Sequence, residues 1–150
     1  MDFSKLNLPY NPVRIRRVSD KSFQLWDRCR HKWLEATPEE WVRQNFIAYL
    51  IENLHYPEQF IRQEFPVNVN GQSQRADIVV FDSMGNPWLL VECKSTSVAL
   101  SEDVIMQAAR YNMEIHAPYL VVTNGLQHKC FGLNHMHSEM LVPCSMPKWL

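Results

Sequence analysis

The hydrophobic pattern divides the chain into short runs of period two and two longer runs of helical period, separated by proline, glycine and asparagine. After an irregular start holding Pro9 and Pro12, Val13-Arg-Ile-Arg16 and Phe23-Gln-Leu-Trp26 alternate apolar with polar residues and predict two short strands. Thr37-Pro38-Glu39-Glu40 is a helix start, with threonine at the N-cap and proline at the first helical position. That helix is predicted to run to about Leu54, where His55-Tyr56-Pro57 stops it. Ile61 to Asn70 reads as a strand leading into an Asn70-Gly71 turn. Two apolar strands follow, Arg75–Asp82 and Trp88–Lys94, joined by the turn cluster Ser83-Met-Gly-Asn-Pro87. Ser101 caps a second helix, with Glu102 and Asp103 in its first turn, expected to reach about His116 before Pro118. Tyr119–Thr123 is a buried strand, and Lys129–Leu133 is its expected edge neighbour.

The order is therefore helix, three strands, helix, then one or two strands. A helical crossover after Lys94 with a return strand at Tyr119 implies a parallel pair joined right-handedly. The expected class is α/β, an αβββαβ core with a mixed central sheet flanked by helices. Residues 1–36 form a basic, strand-containing extension and residues 37–150 the main domain, within what is expected to be one compact unit at 150 residues.

The hairpin carries the chemistry. If its turn centres on Met84 and Gly85, Asp77 lies opposite Glu92 and Arg75 opposite Lys94. Alternation then puts Arg75 with Asp77, and Glu92 with Lys94, on shared faces. Like charges placed opposite each other destabilise a sheet, so two carboxylates on apolar strands call for a compensating cation. A hard divalent ion such as Mg2+, which takes oxygen ligands, would supply it. The competing reading is a metal-free ion-pair ladder of Arg75, Asp77, Glu92 and Lys94.

Asp77, fourteen residues, then Glu92-x-Lys94 at the end of an apolar strand resembles the PD-(D/E)xK nuclease signature. Thr37-Pro-Glu-Glu40-Trp-Val-Arg-Gln44, Arg75-Ala-Asp77-Ile-Val-Val, Val91-Glu-Cys-Lys94, Gln107-x-x-x-Tyr111 and Thr123-Asn-Gly125 occur in that order. This string resembles the nuclease domain at the N-terminus of type I restriction enzyme R subunits, in a short form, over roughly residues 35–132. The resemblance implies a restriction-endonuclease-like fold and Mg2+-dependent hydrolysis of DNA phosphodiesters, with Mn2+ as a substitute. Asp77, Glu92 and the backbone carbonyl of Cys93 would be the metal ligands, and Lys94 the general base or water-positioning group. Gln107 would lie close to the metal, and Glu40 would face it from the first helix. Tyr111 and Arg75 would meet DNA. Two of these residues have plain structural readings: Glu40 completes a capping box with Thr37, and Gln107 borders a core stripe of Val104, Ala108, Tyr111 and Ile115. Cys93 alternates with Val91 and Leu89, which places its thiol in the core rather than in a nucleophile's electropositive setting.

Composition changes this picture in three ways. Net charge is −1, yet residues 1–32 hold eight Lys/Arg against three acids, so the basic excess sits at one end. Arg14, Arg16 and Arg17 are expected DNA-phosphate contacts, and the bland alternative is that they pair with the acidic remainder. Four cysteines, at positions 29, 93, 130 and 144, form no CxxC pair. With no long apolar run and no basic-then-apolar start, they predict a reducing, cytoplasmic setting and no membrane. His128, Cys130, His135, His137 and Cys144 lack the paired spacings of a zinc site. None of the glycines, at 71, 85, 125 and 132, precedes a lysine, so there is no phosphate-binding loop of the translocating-motor kind. DNA is the expected partner, with a separate motor or modification subunit, or a second copy of the chain, as further partners. Two other functions remain open: a nuclease-fold module that binds DNA or a protein without cutting, and a structural protein whose charges only stabilise its sheet.

Overall fold

The computed structural model describes residues 1–133 and 140–150. Strands β1 (Ile15–Arg17), β2 (Phe23–Asp27) and β3 (Lys32–Glu35) form a small antiparallel sheet in sequence order. The first two are the expected pair; β3 was not signalled, because Lys32-Trp-Leu-Glu35 is too short to show a period. Helix α1 (Pro38–Glu52) follows, then a 3-10 turn at Glu58–Phe60. Strands β4 (Ile61–Val69), β5 (Gln72–Phe81) and β6 (Pro87–Cys93) form the meander, and helix α2 (Glu102–Ile115) crosses to β7 (Tyr119–Thr123). Strands β8 (His128–Leu133) and β9 (Leu141–Pro143) complete a six-stranded sheet of order β4-β5-β6-β7-β8-β9.

Among the described residues only β6 and β7 pair in parallel. This is the mixed α/β architecture of a restriction-endonuclease-like core, with α2 as the crossover. Alternation along the central strands explains why both faces are covered. Ile78, Val80, Leu89, Val91, Cys93 and Val121 pack with Val42, Phe46, Ile47 and Leu50 of α1. Val79, Leu90, Leu120 and Val122 pack with Ala108 and Ile115 of α2. The Cys93 thiol is fully buried in the α1-side cluster, as its alternation predicts. Among the described residues no helix is long and apolar enough to cross a membrane.

The helix ends follow their signals. Thr37 accepts the Glu40 N–H at 3.1 Å, and Ser101 caps α2 through the Val104 N–H. At the far end of α2, His116 takes a positive φ and the buried Asn112 amide exchanges two hydrogen bonds with the Ala117 backbone. Of the expected core stripe Ala108 and Ile115 are buried, and Asn112, which lies outside that stripe, is buried with them as a stop for the helix. Asn70 and Gly71 both take positive φ, as a type I′ hairpin turn requires.

In the β5–β6 hairpin Ile78 pairs with Val91, Val79 with Leu90 and Val80 with Leu89, the register read from the turn. An irregularity lies between Val80 and Phe81, on the turn side, so the register at the carboxylates survives it. The Arg75–Lys94 pairing does not form. The β5–β6 ladder ends at Ile78 and Val91, and Arg75 is exposed, paired in register with Pro66 of β4. Lys94 lies just past β6, where its N–H donates to Thr123 O at 2.8 Å. The strands part at their ends, which removes the ladder of four charges.

The N-terminal segment is fastened across the main sheet. Leu6 is buried in the α1-side cluster, and the Asn7 N–H donates to Gly125 O at 2.8 Å. At Gly125 (φ +85°) a Cβ would come within 2.8 Å of a Leu6 methyl, so a side chain there is barred both by conformation and by space.

Candidate active site

The carboxylates of Asp77 and Glu92 fill the gap where β5 and β6 part. Each uses one oxygen to satisfy the opposite strand: the Cys93 N–H donates to Asp77 Oδ2 at 2.8 Å, and the Asp77 N–H donates to Glu92 Oε1 at 3.2 Å. The hydrogen bonds that a continuing ladder would have made are thereby replaced by side chains. Among the described residues no N–H donates to Asp77 Oδ1 or Glu92 Oε2, and the two carboxyls lie within hydrogen-bond reach of each other.

Glu92 is only 6% exposed. Burial, and then the neighbouring Asp77 charge, push its carboxyl up to about 9. Burial also raises Asp77, against the pull of the Cys93 N–H and of Arg43. Two buried carboxylates that resist being charged together are the electrostatic signature of a site short of positive charge.

Helix α1 forms the other wall. Glu40, which the sequence offers as either a cap or a site residue, does not reach back to the helix start. Its two oxygens accept a bidentate pair from Arg43, one turn further along, with Nε at 2.6 Å. Gln44 adds a weaker bond at 3.3 Å. Arg43 in turn places Nη1 3.8 Å from Asp77 Oδ1. Burial disfavours the Arg43 charge, but the hydrogen bonds it donates to Glu40 outweigh that and fix it as a cation. A cleft of about 460 Å3 opens here, lined by Thr37, Pro38, Glu39, Glu40, Arg43 and Ser95. Burial, then the charge on Asp77, raises the Glu39 carboxyl, while Lys94 and Arg43 act against them.

Lys94 is half-buried, and among the described residues it forms no ion pair within 4.0 Å. Its charge acts on Asp77 and Glu92. The backbone beyond it is held from the next strand: Asn124 donates its amide to Val98 O at 2.9 Å, and its oxygen accepts from Leu126 and Gln127. The Thr123-Asn-Gly125 turn thus anchors the segment that carries Lys94 and Ser95.

Helix α2 brings Tyr111 near the carboxylates. Burial raises its phenol, and Glu92 and Asp77 add to the effect. Gln107, one turn earlier, is exposed in a separate groove of about 270 Å3 that it shares with Gln74, Arg110 and Tyr111.

Two residues escaped the sequence reading. Arg43 stood inside the quoted motif, and its spacing of three from Glu40 was the available signal for a helical ion pair. Glu39 was hidden as an ordinary first-turn acid. Behind them a network that no local pattern announces joins the two sheets. Arg30 Nε donates to Asp27 at 2.6 Å and Arg30 Nη1 to Glu64 at 2.6 Å, while Gln63 bridges Asp27 and Gln44. Burial opposes the charge on Asp27, yet the Arg30 hydrogen bonds win and hold its carboxyl below the usual range.

Arg14 and Arg16 are exposed on the N-terminal sheet, and Arg17 is paired with Asp20 at 2.9 Å. Of the histidines and cysteines, His135 and His137 lie outside the described residues. His128 is engaged at both ring nitrogens, with Thr123 Oγ1 and Asn7 O. Among the described residues no three His, Cys, Asp or Glu side chains gather as a metal cage. The side chains that do converge are the two carboxylates of Asp77 and Glu92, both oxygen donors. That set suits a hard cation that keeps much of its own water, and it does not suit zinc.

A family model described as the type I restriction enzyme R protein N terminus matches residues 38–144. No curated protein matches the chain.

Proposed function

The chain belongs to the family of type I restriction enzyme R protein N-termini, and from that premise we propose that it is a Mg2+-dependent nuclease that hydrolyses DNA phosphodiesters inside the cell. The observation that carries the reading is the Asp77–Glu92 pair where β5 and β6 part, Glu92 buried and Asp77 nearly so, each carboxylate accepting one backbone N–H of the opposite strand. Asp77, Glu92 and the Cys93 carbonyl would hold the cation. When bound, Mg2+, or Mn2+ in its place, activates water as a nucleophile and the phosphate as an electrophile. Lys94 orients the attacking water and moves a proton at its Nζ. Glu40 holds Arg43 in place, and Arg43 supplies positive charge beside Asp77 where the scissile phosphate would enter. Tyr111 and Gln107 line the approach from α2, while Arg14, Arg16, Arg17 and Arg75 would take DNA phosphates. These 150 residues hold no phosphate-binding loop of the motor kind, so the proposal covers strand cutting and not translocation.

One observation favours a second reading, a nuclease-fold module that binds without cutting. The Arg43 guanidinium already lies 3.8 Å from Asp77 and, together with Lys94, could supply the positive charge of the site without a metal. A cleavage assay on plasmid and single-stranded DNA with Mg2+ and Mn2+ separates the two. The nuclease reading expects cleavage that falls by about 10²–10⁴-fold in Lys94→Ala, with metal binding retained because the carboxylates remain. A wild-type protein inactive on every DNA form with both metals would leave the binding module.

A further inference from the structure

The outer face of the N-terminal sheet is built from arginine and tryptophan. Alternation along β2 and β3 buries Leu25 against Leu34 and turns Trp26 and Trp33 to the other side, directly opposite each other in register. Their rings meet edge to face at 5.3 Å. The Arg14 guanidinium lies 5.1 Å from the Trp26 ring and 5.3 Å from that of Trp33. Arg16 lies closer, 4.4 Å over Trp33, with its Nε donating to Gln24 Oε1 at 2.7 Å. Both arginines are exposed, and among the described residues neither pairs with a carboxylate within 4.0 Å.

A guanidinium laid on an indole is held extended, with its outer plane and most of its N–H groups facing solvent. That arrangement offers two things at once, flat cationic surfaces for stacking and donors for phosphate. Charge complementarity selects a polyanion, since eight of the fifteen Lys/Arg fall in the first 32 residues. Stacking selects an unpaired one. Base faces inside a duplex are already taken by neighbouring bases, whereas single strands present them to aromatic rings and arginine planes. The face also leads to the cleft: β3 runs through Ala36 into Thr37 on the cleft wall. The four residue steps from Trp33 to Thr37 span at most about 14 Å.

We propose that this Arg–Trp face is a single-stranded DNA platform that delivers an unpaired strand to the cleft beside Glu39 and Arg43. The choice of DNA rests on the nuclease reading above. Binding of the full chain to an oligothymidylate and to a duplex of equal length, in EDTA so that nothing is cut, tests it through tryptophan fluorescence and anisotropy. Wild type should favour the single strand. Trp33→Ala should weaken single-strand binding by about 5- to 100-fold, with duplex binding unchanged. Trp33→Phe should restore most of the loss, and Arg16→Lys should share it although the charge is kept. Four results would overturn the platform: no single-strand binding by wild type, equal loss on both DNA forms, no rescue by phenylalanine, or wild-type affinity in both Trp33→Ala and Arg16→Lys. Failure of cleavage with this pattern intact would remove the nuclease reading alone. Cleavage with the pattern absent would remove the platform alone.

Discussion

At the scale of single residues, Glu92 is where the fold gives up stability for chemistry. Its carboxyl is raised by burial and by Asp77, so between its ordinary value near 4.5 and about 9 the folded protein holds a proton that the unfolded chain has lost. Stability contributed by this group therefore falls as pH rises through that window. Without divalent metal, the protein should melt at a lower temperature at pH 8 than at pH 5.5. Glu92→Gln should flatten that dependence and raise the pH 8 melting temperature by a few degrees, about 2–4 °C per kcal/mol at this size. Thermal scans across pH check it; an unchanged slope in the variant would assign the dependence to other groups. The identity of these carboxylates was legible in the sequence because strand alternation and turn position fix who faces whom. The ion-pair partners were not. Arg43 reaches Asp77 from a helix more than thirty positions away, and no local pattern reports a contact of that range.

Among the elements, α1 was readable from its first four residues, since a threonine cap, a proline and two acids are local chemistry. What the pattern could not decide was the direction of Glu40, because a capping box and an inward ion pair use the same position. The structure resolves it by offering Glu40 a better donor, the bidentate Arg43. Thr37→Ala removes the bond to the Glu40 N–H and should cost about 1 kcal/mol, read by denaturant titration. It should also blunt activity, because the same first turn lines the cleft. Strand β9 and the C-terminal tail were invisible in the sequence for a physical reason. The tail is held by long-range bonds to its backbone, from Tyr56 Oη to Pro147 O, from Trp88 Nε1 to Lys148 O and from the Ser83 N–H to Leu150 O, and these leave no periodicity.

For the molecule as a whole, the separation of charge matters more than the net of −1. A basic sheet stands beside an acidic main domain, joined by the Asp27–Arg30–Glu64 network, in which Asp27 is buried and the other two are partly exposed. Neutralising Arg14, Arg16 and Arg17 together should weaken DNA binding and reduce the slope of log affinity against log salt by about 0.7–0.9 per lost phosphate contact. An unmoved slope would return those arginines to the fold. Whether Asp77 and Glu92 form a cation site is decided by titration calorimetry with Mn2+, which does not depend on DNA. One site is expected, strengthening as pH rises because the cation must displace the proton that Glu92 holds, and vanishing in Asp77→Asn. Binding of the same strength in Asp77→Asn, or no binding by wild type at any pH where it remains folded, would contradict that expectation.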